Sequence, residues 1–326
     1  LQVTKPNFFL IGAPKCGTTA VDKALGQHPE IFMSSPKEPS YFLFTGGNPY
    51  GFDPETRVSD RAAYLALFDG AAEKKVRGEA SPLYLHGTHI AADIHELNPD
   101  GKIMAILRDP VERACSMYLF FHQYDRHARL TPEDFRRRFL DGTLCHAPVR
   151  EARMTMEFLK AFGFYHELLK PYYELFPREN ILIVAHDELK ADSAAFARHI
   201  LAFLEVDQSW PTPITPENVT FAPKNREINY WLNHATASAP RQMLKRLFER
   251  SGTARAIRDS INRANQQRVA LRQFLTDDLH RDLIETYRAD IMRLSELVGI
   301  DFTPWLERKA VRHLKPAAPE PAAISQ

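Results

Sequence analysis

Short, continuous apolar runs punctuate the first two thirds of the chain. Each is followed by a stretch in which apolar residues return every three or four positions. Phe8-Phe9-Leu10-Ile11 stops at Gly12. A run that short, without alternation, fits a strand buried on both faces of a parallel sheet. Beyond the loop 12–19 (GAPKCGTT), Val21, Ala24 and Leu25 fall at helical spacing, and the pattern ends at His28-Pro29. Residues 76–80 (VRGEA) predict a second strand and 90–97 a helix. Residues 102–107 (KIMAIL) predict another buried strand, broken by Arg108-Asp109-Pro110 and followed by a helix to Phe121. Residues 180–185 (NILIVA) predict a further strand, and Asp192 the cap of a helix running to about Glu205. Strands alternating with helices predict an α/β fold, a central parallel sheet flanked by helices in three layers.

From Arg241 onward the strand signals fade. Residues 241–272 carry nine Lys or Arg and two acids. Leu279, Leu283, Tyr287, Ile291, Leu294 and Leu297 then predict one amphipathic helix stopped by Gly299. Trp305 is expected to tuck that end onto the core. This predicts a single domain over 1–315 with a helical C-terminal part, and a disordered Pro/Ala-rich tail over 316–326.

Composition changes this picture only by exclusion. Among 326 residues, 42 Lys and Arg face 41 Asp and Glu, and 44% are hydrophobic. That is too apolar for a disordered chain and too neutral for a globally basic nucleic-acid binder. No apolar run approaches the roughly 18 residues of a membrane span. Three widely spaced cysteines, Cys16, Cys115 and Cys145, form no disulfide framework or metal motif. Together with the lack of a visible signal peptide, they predict a reducing, cytoplasmic setting. Oligomeric state is not legible.

The loop after the first strand carries the first chemistry. Gly12 and Gly17 have the spacing of a nucleoside-triphosphate P-loop, but Thr18 stands where that loop needs lysine, and the lysine is displaced to Lys15. A lysine ahead of the second glycine reaches less far along a polyphosphate. Backbone N–H groups of Gly17, Thr18 and Thr19 at the helix start still make an anion site, with two hydroxyls beside it. The loop therefore suits a nucleotide with one 5′-phosphate and a short transferable group. A glycine turn that binds nothing has the same residues.

Arg108 adds a second anion group. An arginine at the C-terminal end of a strand points to the edge where α/β folds bind ligands, and Ser116 follows two turns into the next helix. An Arg108–Asp109 ion pair capping that helix is the structural alternative.

FFLIGA-PKCGTT together with ILRDPVERACSMY resembles the two nucleotide motifs of the PAPS-dependent sulfotransferases, PAPS being 3′-phosphoadenosine 5′-phosphosulfate. PKEPSYF (36–42) and EASPLY (79–84) resemble two further segments of the heparan-sulfate-type and related bacterial members. The resemblance runs from about Phe8 to Trp305 and implies a P-loop-like fold. It implies that Lys15, Cys16, Gly17, Thr18 and Thr19 hold the 5′-phosphosulfate, and Arg108 and Ser116 the 3′-phosphate. Lys224, Asn225 and Arg226 resemble the basic segment that closes over the nucleotide. Lys15 and Glu38 are implied as catalytic, the first neutralising the leaving phosphate and the second taking the acceptor proton. PAPS is implied as cosubstrate, PAP as product, and no metal is needed.

The acceptor is implied to be a hydroxyl of a sugar, glycolipid or natural product. Ala80 stands where the heparan-sulfate enzymes commonly have Lys, Ser40 where they often have His or another polar residue, and their late disulfide has no counterpart. These departures weigh against a glycosaminoglycan substrate. His122, His127, His146 and His166 are alternative bases, since other subfamilies use histidine. His28 reads as structural. Tyr84, Tyr118, Phe120 and Phe121 are candidates for an acceptor cleft. A P-loop kinase and a non-catalytic nucleotide- or polyanion-binding protein are the competing readings, the last supported by the basic stretch 241–272.

Overall fold

The computed structural model describes residues 4–46, 57–122, 131–141, 156–215, 221–225, 256, 260, 261, 264–268 and 271–311. Five parallel strands form the central sheet: β1 (Phe8–Gly12), β2 (Ile31–Met33), β3 (Val76–Ala80), β4 (Lys102–Leu107) and β5 (Ile181–Ala185). Their order is β2-β3-β1-β4-β5. Phe8 pairs with Gly78 on one side and Lys102 on the other. The chain thus winds one way from β1 to β3 and β2 and the other way to β4 and β5. Such a reversal leaves a crevice at the carboxyl end of β1, where open α/β sheets take ligands.

The strands are apolar because both faces are covered. Phe8, Phe9, Leu10, Ile11 and Ile103–Leu107 are fully buried, each of the large side chains contributing about 1.5–3 kcal/mol relative to exposure. The connecting helices include α1 (Thr18–Leu25), α2 (Phe42–Thr45), α3 (Arg61–Ala66), α4 (Ile90–Leu97), α5 (Pro110–His122), α6 (Pro132–Asp141), α7 (Met156–Ala161), α8 (Tyr165–Leu175), α9 (His186–Ala191) and α10 (Ser193–Phe203). The cap expected at Asp192 is present: its Oδ1 accepts from the N–H groups of Ala194 and Ala195 at 3.0 and 2.9 Å.

Two expectations for the second half need correction. The periodic stretch 279–297 is not one helix. It is Asp277–Ile284, a 3-10 turn Glu285–Tyr287, and Arg288–Val298, which packs on α8. A three-residue turn keeps the apolar residues on one side, so the break does not disturb the pattern. Gly299 does end the stretch, at φ 80°, and Trp305 is buried at 1% exposure. Strand structure also recurs beyond Arg241: Gln266–Arg268 pairs antiparallel with Phe221–Pro223. Most of the basic stretch 241–272 and the tail 316–326 lie outside the described residues.

Candidate active site

The loop from Gly12 to α1 delivers the sequence-predicted residues to the switch point. Gly17 turns the chain into α1 at φ 92°, a conformation that penalises any side chain. A β-carbon there would also stand 3.2 Å from Leu189 Cδ2 and 3.6 Å from His186 Cδ2. Cys16 and Thr18 are buried and Thr19 half-buried. Burial raises the Cys16 thiol to about 11, so it is a packed, neutral group.

Lys15 is the exceptional cation. Its backbone is left-handed, at φ 70°. Its Nζ lies 4.2 Å from the centre of the Phe120 ring, and it makes no ion pair among the described residues. Burial first, and then the neighbouring Arg108 charge, push its ammonium down to about 8. Two cations close enough to oppose one another, at the end of a glycine loop, form a receptor for anions.

Arg108 leaves the end of β4 into the same crevice. It is not paired with Asp109, the alternative considered from sequence. Its Nη2 and Nε donate to Glu112 Oε2 at 2.7 and 3.1 Å. Asp109 is the helix cap, its Oδ1 accepting from the N–H groups of Val111 and Glu112 at 2.9 Å each. Its Oδ2 lies 2.6 Å from His280 Nε2, and both side chains are buried. Burial opposes the Arg108 charge, yet Glu112 outweighs it and holds the guanidinium above its ordinary value. Ser116, 3% exposed, lies one turn beyond Glu112, on the same face of α5.

Glu112 serves more than one cation. Its Oε1 is 3.6 Å from Arg308 Nε, and its Oε2 is 4.0 Å from Lys190 Nζ. Burial works against its ionisation, but Arg108, then Lys190 and Arg308, hold the carboxyl down at about 2. A cavity of about 530 Å³ opens here, lined by Arg108, Glu112, Lys190, Trp305, Arg308 and Lys309 among others. His186, at the start of α9, abuts Gly17. Burial and the charges of Arg108 and Lys190 push its imidazole down to about 2, so it is neutral, and its Nδ1 has no hydrogen-bond partner among the described residues.

Glu38 sits in a bent loop on the other side of β1. Glu38 and Ser40 have φ of 60° and 59°, unusual for residues with side chains. Tertiary bonds hold them there. Glu38 N–H donates to Ala80 O at 3.2 Å. Arg57 Nη1 donates to Glu38 O and Ser40 Oγ at 3.2 and 2.9 Å. Ser40 N–H donates to Ser81 Oγ, which donates on to Glu79 Oε2 at 2.7 Å. Tyr64 and Tyr84 hydroxyls donate to Glu79 Oε1 at 2.5 and 3.1 Å. Burial raises the Glu79 carboxyl to about 7 against these three donors. The Glu38 carboxylate itself is 38% exposed and lies 2.6 Å from Lys37 Nζ. Asp22 on α1 faces the same pair; burial pushes its carboxyl up to about 6.

The remaining candidates divide. Lys224 is exposed, its Nζ donating to Ala264 O at 2.9 Å, and Asn225 N–H donates to Asn265 Oδ1 at 2.8 Å. Arg226 lies outside the described residues, as do His127, His146 and Cys145; the side chains of Phe121 and His122 are likewise not described. Tyr84 and Tyr118 belong to the core rather than a cleft, Tyr118 donating to Asp134 Oδ2 at 2.9 Å. Phe120 is 39% exposed beside Lys15. His28 is structural, buried with Nε2 3.0 Å from Asp207 O. His166 lies near Glu167 and Asp290, whose three ligand atoms fall within 4.8 Å of one another. Asp290, however, accepts from the first N–H groups of α8, and Arg293 occupies Glu167 at 3.0 Å. That cluster is a helix cap.

Arg57, His186, Lys190 and Arg308 carry no local motif and are found only by their placement. Residues 5–274 match the sulfotransferase domain family. The membrane-associated sulfotransferase kil1 of Dictyostelium discoideum is 32% identical over 130 residues, 40% of this chain and 26% of its own length. Heparan sulfate glucosamine 3-O-sulfotransferase 6 of Mus musculus is 26% identical over 201 residues, 61% of this chain and 52% of its own. The chain thus spans between about a quarter and half of these relatives. A sulfotransferase from Alicyclobacillus acidocaldarius has the same fold, with a TM-score of 0.64 and 24% identity, over 93% of this chain and 99% of its own.

Proposed function

The chain belongs to the sulfotransferase domain family, and from that premise we propose that it moves a sulfuryl group from PAPS to a hydroxyl acceptor, releasing PAP. The observation that carries this reading is the Lys15–Arg108 pair at the end of the glycine loop, two half-buried cations of which one has no carboxylate partner among the described residues. Lys15 and the N–H groups of Gly17, Thr18 and Thr19 bind the 5′-phosphosulfate. Arg108 and Ser116 bind the 3′-phosphate, and Lys224, Asn225 and Arg226 close over the nucleotide.

The chemistry follows from where charge develops. The acceptor oxygen attacks sulfur in line as the bond to the bridging oxygen breaks. That oxygen leaves on the 5′-phosphate, and Lys15 neutralises its growing charge. Glu38 accepts the hydroxyl proton, having exchanged its contact with Lys37 for one with the acceptor. The protein's own cations supply the charge, so no metal is invoked for the step. The rigid loop behind Glu38 favours a fixed acceptor geometry.

For the acceptor, the relatives' names support a carbohydrate hydroxyl. Ala80 and Ser40 argue for something other than a glycosaminoglycan, such as a glycolipid or a hydroxylated natural product. No described helix is long and apolar enough to cross a membrane. The buried free thiols Cys16 and Cys115 support a reducing, cytoplasmic setting.

The test is incubation with isotopically labelled PAPS and a panel of sugars, glycolipids and phenols, read by mass spectrometry. A labelled sulfate ester is expected on a hydroxyl acceptor. PAP should raise Tm well above the shift given by ADP with Mg²⁺; equal shifts would count against the reading.

A further inference from the structure

Arg308 stands where the backbone favours glycine. It follows the 3-10 turn Thr303–Glu307 and adopts φ 55°. Left-handed positions at such ends are the province of glycine, as at Gly299 nine residues earlier. Arg308 is nonetheless 12% exposed, with its Nη2 buried and lacking any hydrogen-bond partner among the described residues. Nη1 is spoken for by Asp277 at 2.6 Å, and Nε lies 3.6 Å from Glu112.

The carboxylate of Glu112 has Arg108 on one oxygen and Arg308 on the other. One negative charge therefore holds two guanidiniums, with Lys190 at 4.0 Å as a third cation. The other acids of the cavity are committed elsewhere. Asp109 is taken by His280 and the start of α5. Asp187 accepts from the Trp305 indole at 3.2 Å and lies 3.6 Å from Lys190. Arg108, Lys190 and Arg308 thus converge on a cavity of about 530 Å³. That is room for a phosphate monoester and part of the sugar that carries it.

We propose that Arg308, from the C-terminal turn, is a second guanidinium of the 3′-phosphate site, its charge facing the phosphate that Arg108 also binds. The assignment rests on the PAPS reading above. It adds a residue that discriminates a 3′-phosphorylated nucleotide from its 3′-hydroxyl counterpart. A dianion between two arginines takes charge-assisted bonds that a hydroxyl cannot take.

The experiment measures Kd for adenosine 3′,5′-bisphosphate and for adenosine 5′-phosphate by calorimetry, in the full chain and its variants. Arg308→Gln should weaken the bisphosphate by about ten- to hundredfold and change the monophosphate by less than about twofold. Arg308→Lys should restore part of the loss. Arg281→Gln, which removes an exposed arginine on the neighbouring helix, should change neither. Equal weakening of both ligands would make Arg308 a structural residue and overturn the proposal. So would unaltered binding of both. Should the unsubstituted chain fail to prefer the bisphosphate, the PAPS reading itself falls, a result distinguishable from a failure of Arg308 alone.

Discussion

The two ends of the proposed nucleotide site are built on opposite plans. At the glycine loop, consecutive residues supply the whole receptor. The cation there has no ion pair among the described residues, and burial, then the Arg108 charge, push its amine down to about 8. At the end of β4 the receptor is drawn from β4, α5, α9 and the turn after Trp305. Its cations are arginines and a lysine gathered on one carboxylate held at about 2. The first end is a bare, titratable charge. The second is a cluster of cations whose mutual repulsion Glu112 offsets. In the proposed mechanism catalysis belongs to the bare end, where charge changes during reaction, and binding to the buffered end, where it does not.

The contrast can be broken at several points. Lys15→Ala should reduce transfer by about a thousandfold in single-turnover kinetics, as for loss of a transition-state charge donor, with a smaller loss in PAP affinity; near-normal turnover would remove Lys15 from the mechanism. Glu38→Gln should slow transfer about a hundredfold and leave PAP affinity intact. Parallel loss of binding would make Glu38 a loop residue only.

Glu112 tests the buffered end. Its folded pKa lies below its unfolded one, so its stabilisation is complete above about pH 4.5 and is lost as pH falls toward about 2. Glu112→Gln should remove about 2 kcal/mol at pH 7 and flatten the acid limb of denaturant-measured stability between those values. An unchanged acid limb would mean that the cations do not depend on it. The smallest effect is at Lys15. PAP affinity should be flat below about pH 8 and fall above it, by about tenfold per unit at most. Lys15→Arg should abolish that fall.

What could be read in advance follows the same division. β4 was legible to the residue because a strand covered on both faces is a continuous apolar run; β3 was located too, although VRGEA is not such a run. β2 has only three residues at the sheet edge, two of them half-buried, and gives no such run. Lys15, Glu38 and Arg108 were legible because each sits in a local motif. The Glu79–Ser81–Ser40 relay was half legible: its residues lie in recognisable segments, but the bonds between segments 40 residues apart do not follow from either. Arg57, His186 and Arg308 have no local signature. They reach the site by packing, and spacing along the chain carries no trace of that.

The bond between Asp109 and His280 spans 171 positions, and that distance is also a delay. At about 5–20 residues per second of synthesis, roughly 9–34 s separate the two side chains as they leave the ribosome. Through that interval a nascent chain owns its glycine loop and most of its sheet, yet the aspartate at the head of α5 waits for its histidine. The phosphate loop is thus an early product of translation and the pocket around Arg108 a late one.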